Sequence, residues 1–103
     1  MAVLSDSEVE QRLQELSDWR RGGGALAGTG EEAPCIERDF RFADFAAAIA
    51  FVDHVAERAE AANHHPDILV HGWNKVRLTL STHSQGGLTD ADFALAREID
   101  ALA

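Results

Sequence analysis

The sequence predicts an α+β domain in the order α-β-β-α-β-β-α, a four-stranded antiparallel sheet with three helices on one face. Three observations lead there. Helix-start signatures at residues 5–8 and 89–92 precede apolar residues at helical spacing. Residues 42–62 carry a long Ala-rich helical pattern. Two pairs of short stretches with strand character fill the remainder, the second pair joined by Gly72-Trp73-Asn74-Lys75.

Ser5-Asp6-Ser7-Glu8 reads as a capping box, and Val9, Leu13 and Leu16 follow at spacings of four and three, so a first helix covers residues 6–17. Trp19 begins a strand. The glycine-rich run at 22–30 lacks the Gly-Lys-Ser/Thr ending of a phosphate loop and reads as a hairpin loop. Residues 35–40 form the second strand, with Ile36, Arg38 and Phe40 on one face. The helix over 42–62 has two apolar stripes, one through Phe45, Ile49, Val52, Ala56 and Ala59, the other through Ala48, Phe51, Val55 and Ala62. Two stripes suit a helix packed on its own sheet and on a partner chain. Alanine also favours helices and tolerates exposure, so the pattern alone leaves both readings open.

Pro66 cannot continue that helix and pushes His65 toward an extended conformation. Strands follow over 67–72 and 76–82. In the second, Val76, Leu78, Leu80 and Thr82 share a face, while Arg77, Thr79, Ser81 and His83 take the other, so His83 ends the strand on its polar side. Trp73 is expected to cover the sheet from the turn. Thr89-x-x-Asp92 starts the last helix, which Leu95, Ile99 and Leu102 carry to the C-terminus. No repeat or second domain is visible, and residues 1–103 read as one domain.

Hydrophobic residues make up 46% of the 103, enough for one modest core. The formal charge of −9 argues against direct contact with a nucleic-acid backbone or an anionic membrane. The single cysteine, Cys35, excludes an internal disulfide and fits a reducing, cytoplasmic setting as a small strand hydrophobe. Neither a signal peptide nor an apolar run long enough to span a bilayer is present in the sequence.

The chemistry concentrates at Glu60-Ala61-Ala62-Asn63-His64-His65-Pro66, where the long helix gives way to a strand. Histidine titrates near neutrality and can give or take a proton there. His64 falls at a helix C-terminus, with Glu60 four residues earlier and on the same face if the helix persists, placed to orient the imidazole. The competing reading has His64 capping helix carbonyls and His65 filling a turn. Adjacent histidines suit a shared metal poorly, and neither a Cys cluster nor a His-x-x-x-His spacing is present, so a metal-free proton-transfer site is favoured over zinc. His54 and His71 stay outside the site.

Glu60, His64-His65-Pro66, the aromatic Trp73, Ser81-Thr82-His83 and Asp92 together resemble the signature of the pterin-4a-carbinolamine dehydratase family, as does the surrounding text at 38–45, 74–76 and 87–89. The resemblance is strong over 36–99 and weakest in the first hairpin. It implies dehydration of 4a-hydroxytetrahydropterin to quinonoid dihydropterin and water, a step of tetrahydrobiopterin recycling, with no metal and no bound cofactor. By position it implies that His64 and His83 transfer protons with Glu60 and Asp92 in support. It further implies that Asn63, His65, Ser81 and Thr82 contact the substrate, leaving open which histidine is acid and which base. A homodimer or homotetramer through helix 42–62 is expected. Two alternatives stand beside the enzyme: a protein-binding dimerisation module, since the family includes a dimerisation cofactor of a homeodomain transcription factor, and a dehydratase-like protein acting on another, molybdopterin-related pterin.

Overall fold

The computed structural model describes residues 2–22 and 34–103. The elements run α1 (Asp6–Glu15), β1 (Arg20–Gly22), β2 (Cys35–Arg41), α2 (Phe45–Ala62), β3 (Asp67–His71), β4 (Lys75–Leu80), a 3₁₀ turn (His83–Gln85) and α3 (Asp90–Asp100). The order is the expected α-β-β-α-β-β-α. Apart from Gly22 in β1, the glycine-rich run lies outside the described residues.

The four strands pair antiparallel in the order β1-β2-β4-β3. The register stacks Ile36 on Leu80, Arg38 on Leu78 and Phe40 on Val76 across one face. Ile36, Phe40, Val76, Leu78 and Leu80 are all buried there, in one core with Val9 of α1, Phe51 and Val55 of α2, and Phe93, Leu95 and Ile99 of α3. The three helices therefore cover a single face, as alternation along the strands requires. On the open face the register sets Arg20 against Glu37 and Asp39 against Arg77, and Asp39 accepts from both Arg77 Nε at 2.7 Å and Arg20 at 2.9 Å. Cys35 is buried, and burial pushes its thiol pKa up, which suits the inert hydrophobe expected.

Both capping boxes are present. Ser5 Oγ accepts from the Glu8 amide at 3.2 Å while Glu8 accepts from the Ser5 amide at 3.0 Å. Thr89 and Asp92 form the second. Helix α3 is tied to the sheet and to the start of β1 through Asp100, which accepts from Trp19 Nε1 at 2.8 Å and from Arg38 at 2.5 Å.

Several boundaries differ from the sequence expectation: α1 ends at Glu15 and not at residue 17, and β3 ends at His71 and not at residue 72. Helix α2 begins at Phe45, because Asn74 exchanges two hydrogen bonds of 2.9 Å with the Phe42 backbone and holds it as an extension of β2, and Asp44 then caps the helix by accepting from the Ala47 amide at 2.7 Å. Strand β4 stops at Leu80, since Thr82 leaves the ladder to form an isolated bridge with Gly87 and the chain turns at His83. The two stripes of α2 also divide unequally. Ala48, Phe51, Val55 and Ala59 are buried within this chain, Ile49 and Val52 are half-buried, and Phe45, Ala56 and Ala62 are exposed. Trp73 does not cover the sheet: its φ of +57° swings it outward and leaves it 63% exposed.

Candidate active site

The end of α2 determines where each imidazole goes. Asn63 takes the left-handed conformation at φ 50°, ψ 41°, which asparagine tolerates better than most residues, and its amide and that of His64 bond back to the Ala59 carbonyl. The chain thus reverses one residue before His64 instead of continuing the helix, and Pro66 forbids a return to it. His64 is turned toward the first turn of α3, where its Nε2 lies 2.6 Å from Asp92 Oδ1. The expected pairing of Glu60 with His64 is therefore corrected. Glu60 meets His65 instead, at 3.3 Å between two well-exposed side chains, a contact of little energetic weight.

Asp92 is fully buried, and so is its hydrogen-bonding capacity. Its Oδ2 accepts from the Thr82 hydroxyl at 2.9 Å and from the Thr89 amide at 2.9 Å. Its Oδ1 faces His64, whose side chain keeps 14% exposure. A buried carboxylate is costly unless paired and fully hydrogen-bonded, and these three partners meet that condition. The arrangement fixes one edge of the His64 ring and leaves its Nδ1 edge without a partner among the described residues.

His83 opens the 3₁₀ turn directly after Thr82 and is exposed. Thr82 is the covalent neighbour of His83 and also a ligand of the Asp92 carboxylate, so both outer histidines hang from one buried polar cluster. The two hydroxyls implied as substrate contacts are turned inward: Ser81 Oγ donates to the Pro34 carbonyl at 2.7 Å, and Thr82 is committed to Asp92. Asn63 and His65 remain on the surface. Thr89 joins the cluster, its hydroxyl 2.8 Å from that of Thr82. The sequence carried its signal in the Thr-x-x-Asp cap, but its contact with Thr82 depends on the tertiary fold. Among the described residues no three His, Cys, Asp or Glu side chains gather in a way that could hold a metal ion. Nor is any helix among them long and apolar enough to cross a membrane.

A sequence model of the family described as pterin 4 alpha carbinolamine dehydratase matches residues 2–102. A protein of Acidobacterium capsulatum, provisionally named a pterin-4-alpha-carbinolamine dehydratase, is 49% identical over 99% of this chain and 99% of its own. One from Chloroflexus aggregans with the same provisional name is 51% identical over 97% of this chain and 96% of its own. Among solved structures, the transcriptional coactivator/pterin dehydratase of Brucella melitensis superposes with a TM-score of 0.83 at 34% identity, covering 99% of both chains. A pterin dehydratase-like protein identified as a RuBisCO assembly factor in the alpha-carboxysome superposes at 0.64 with 31% identity, covering 84% of this chain and 89% of its own.

Proposed function

The chain belongs to the pterin-4a-carbinolamine dehydratase family, and on that premise we propose that it converts 4a-hydroxytetrahydropterin to quinonoid dihydropterin and water. The observation that carries this reading is the His64–Asp92 pair, a partly open imidazole anchored along one edge by a buried carboxylate. Breaking the C4a–O bond requires a proton on the departing hydroxyl, and forming the quinonoid ring requires loss of a ring N–H. One proton is delivered and one removed, which two histidines on different elements, His64 and His83, can share. The ring nitrogens already push electrons toward C4a, so the barrier is modest and general acid–base help of ~10²–10⁴-fold is sufficient. His65 and Asn63, at the exposed rim, are the substrate contacts in this reading, with Glu60 orienting His65. The pterin recycled is that of an aromatic amino-acid hydroxylase, in the cytoplasm.

The deciding measurement is stopped-flow loss of synthetic 4a-carbinolamine with and without the protein, after prolonged chelation. Acceleration that survives chelation supports metal-free dehydration. No acceleration removes the reading, and activity lost to chelator but restored by zinc replaces it with a metal mechanism.

A second reading concerns assembly. The exposed apolar side of α2, with Phe45 55% exposed beside alanines, fits self-association into a dimer or tetramer through this helix, or the docking of a partner protein. The relatives named as coactivator and as assembly factor make the latter worth testing.

A further inference from the structure

We propose that Thr82 and Thr89 are positioning residues which, through Asp92, hold His64 in the tautomer protonated on Nε2, leaving Nδ1 as the nitrogen that takes a proton from the ligand. The assignment follows from counting hydrogens. Each threonine hydroxyl has one proton to give and two lone pairs to receive. Thr82 donates to Asp92 Oδ2 at 2.9 Å. Its 2.8 Å contact with Thr89 must then be received, so Thr89 is the donor there. Thr89 in turn receives the Ala91 amide at 3.3 Å. The hydroxyls are thereby ordered in one direction, Thr89 to Thr82 to Asp92.

With the Thr89 amide also donating to Oδ2, the Asp92 carboxyl is held as an acceptor. The remaining short contact, Oδ1 to His64 Nε2 at 2.6 Å, takes its hydrogen from the imidazole. A neutral His64 so fixed carries its lone pair on Nδ1. Resting on the dehydratase reading, the step is balanced: the proton of a substrate ring N–H passes to Nδ1, the electron pair of that bond enters the ring as the C4a–O bond breaks, the departing oxygen keeps the C4a–O pair, takes a proton from His83 and leaves as water, and the imidazolium of His64 keeps Nε2–H on Asp92. Thr82 has a second task. Its amide donates to Gly87 at 3.0 Å and its carbonyl receives the Gln85 amide at 3.0 Å, so the residue that orders Asp92 also fixes the turn carrying His83.

Long-range ¹H–¹⁵N correlation spectra of the ligand-free, ¹⁵N-labelled protein, taken where His64 is neutral, read the tautomer without reference to any activity. The Nε2–H form is expected to exceed the other by about ten to one or more, the ratio that one hydrogen bond to a charged group sustains. Thr82→Val should bring the two forms toward parity, and Thr82→Ser should restore the wild-type ratio. Should Thr82→Val fail to fold, Thr89→Ala removes the upstream donor and should shift the same ratio by a smaller factor. An Nδ1–H form in the wild type, a ring that stays doubly protonated throughout, or a ratio that no folded variant moves would each overturn the proposal. If the tautomer behaves as expected in a protein without dehydratase turnover, the relay stands and the functional reading falls. Turnover with an unresponsive tautomer gives the reverse.

Discussion

His64 and Asp92 are separated by 28 residues of chain and joined across 2.6 Å, the end of one helix meeting the start of another. The contact does two jobs at once. Asp92 is the N3 residue of the α3 capping box and the anchor of the imidazole, so the N-terminal signal of a helix also fixes His64.

Asp92→Asn separates these jobs. The amide carbonyl can still receive the Thr89 amide and Thr82 hydroxyl, so the cap and fold should survive. The amide nitrogen then points a donor at His64 Nε2 and favours the wrong tautomer. We expect turnover to fall within ~10²–10⁴-fold with a smaller change in KM, circular dichroism being unchanged. Full activity in folded Asp92→Asn would exclude Asp92 from the mechanism. Asp92→Ala is the harsher change, since it strands two buried donors, the Thr82 hydroxyl and the Thr89 amide, and frees His64, and should also destabilise by a few kcal/mol, about 1–3 per unsatisfied group at most.

The elements were legible in the sequence because local rules and the global fold agree here. The two capping boxes, the Pro66 stop and the Gly72–Asn74 turn all fall where their chemistry directs. What was not legible depends on contacts remote in sequence. The extra turn expected at the start of α2 is prevented by Asn74, 32 residues away from Phe42. The role of Glu60 was misread because i,i+4 logic assumes a continuing helix, and Asn63 ends it in a left-handed turn. The sequence marked Asp92 as a helix-start residue, and only its place in a family pattern made it a site residue. Nothing in its spacing from Thr82 or His64 announces that the three converge.

The division of the α2 stripes sharpens the assembly test. Phe51 is 6% exposed and Ala48 is wholly buried, so a charge at either should unfold the chain itself. Ala50 and Phe45 lie on the outer side. Ala50→Glu or Phe45→Glu should lower the mass seen by light scattering while leaving the melting curve cooperative. A wild-type monomer at working concentrations would remove the expectation of a homo-oligomer.

Asp39 gives an acid-range signature. The Arg77 hydrogen bond, aided by Arg20, holds its carboxyl below the usual carboxylate range against a smaller opposing effect of burial. A depressed folded-state value adds stability above the unfolded value of ~3.9, and that stability is lost as pH falls through the folded value. Because the pair is about half exposed, at 42% for Arg77 and 46% for Asp39, its worth is limited to under ~1 kcal/mol. Asp39→Asn should therefore melt a few degrees lower near neutrality, with the gap narrowing steadily below pH ~4. A gap of constant size from neutral to acid pH would mean the difference is one of packing, not of charge.

The histidines separate the site from its surroundings most cleanly. His64 is anchored by Asp92 and His83 opens the turn after Thr82, so in the proposed mechanism they approach the substrate from different elements. If each handles one of the two protons, replacing either by Ala should cut kcat within ~10²–10⁴-fold, with KM little changed. The double variant should fall near the background rate of a reaction that is itself fairly easy, so the two losses should not multiply. His65→Ala should instead raise KM, and Glu60→Gln should follow it weakly, since the Glu60–His65 contact is exposed and does not reach His64. His54, 3.9 Å from Glu57 on the outside of α2, and His71 on the edge strand serve as controls and should leave turnover unchanged. Circular dichroism must show every variant folded. Wild-type turnover in folded His64→Ala and His83→Ala would defeat the two-histidine mechanism and turn attention to the outer side of α2, where a protein partner would bind.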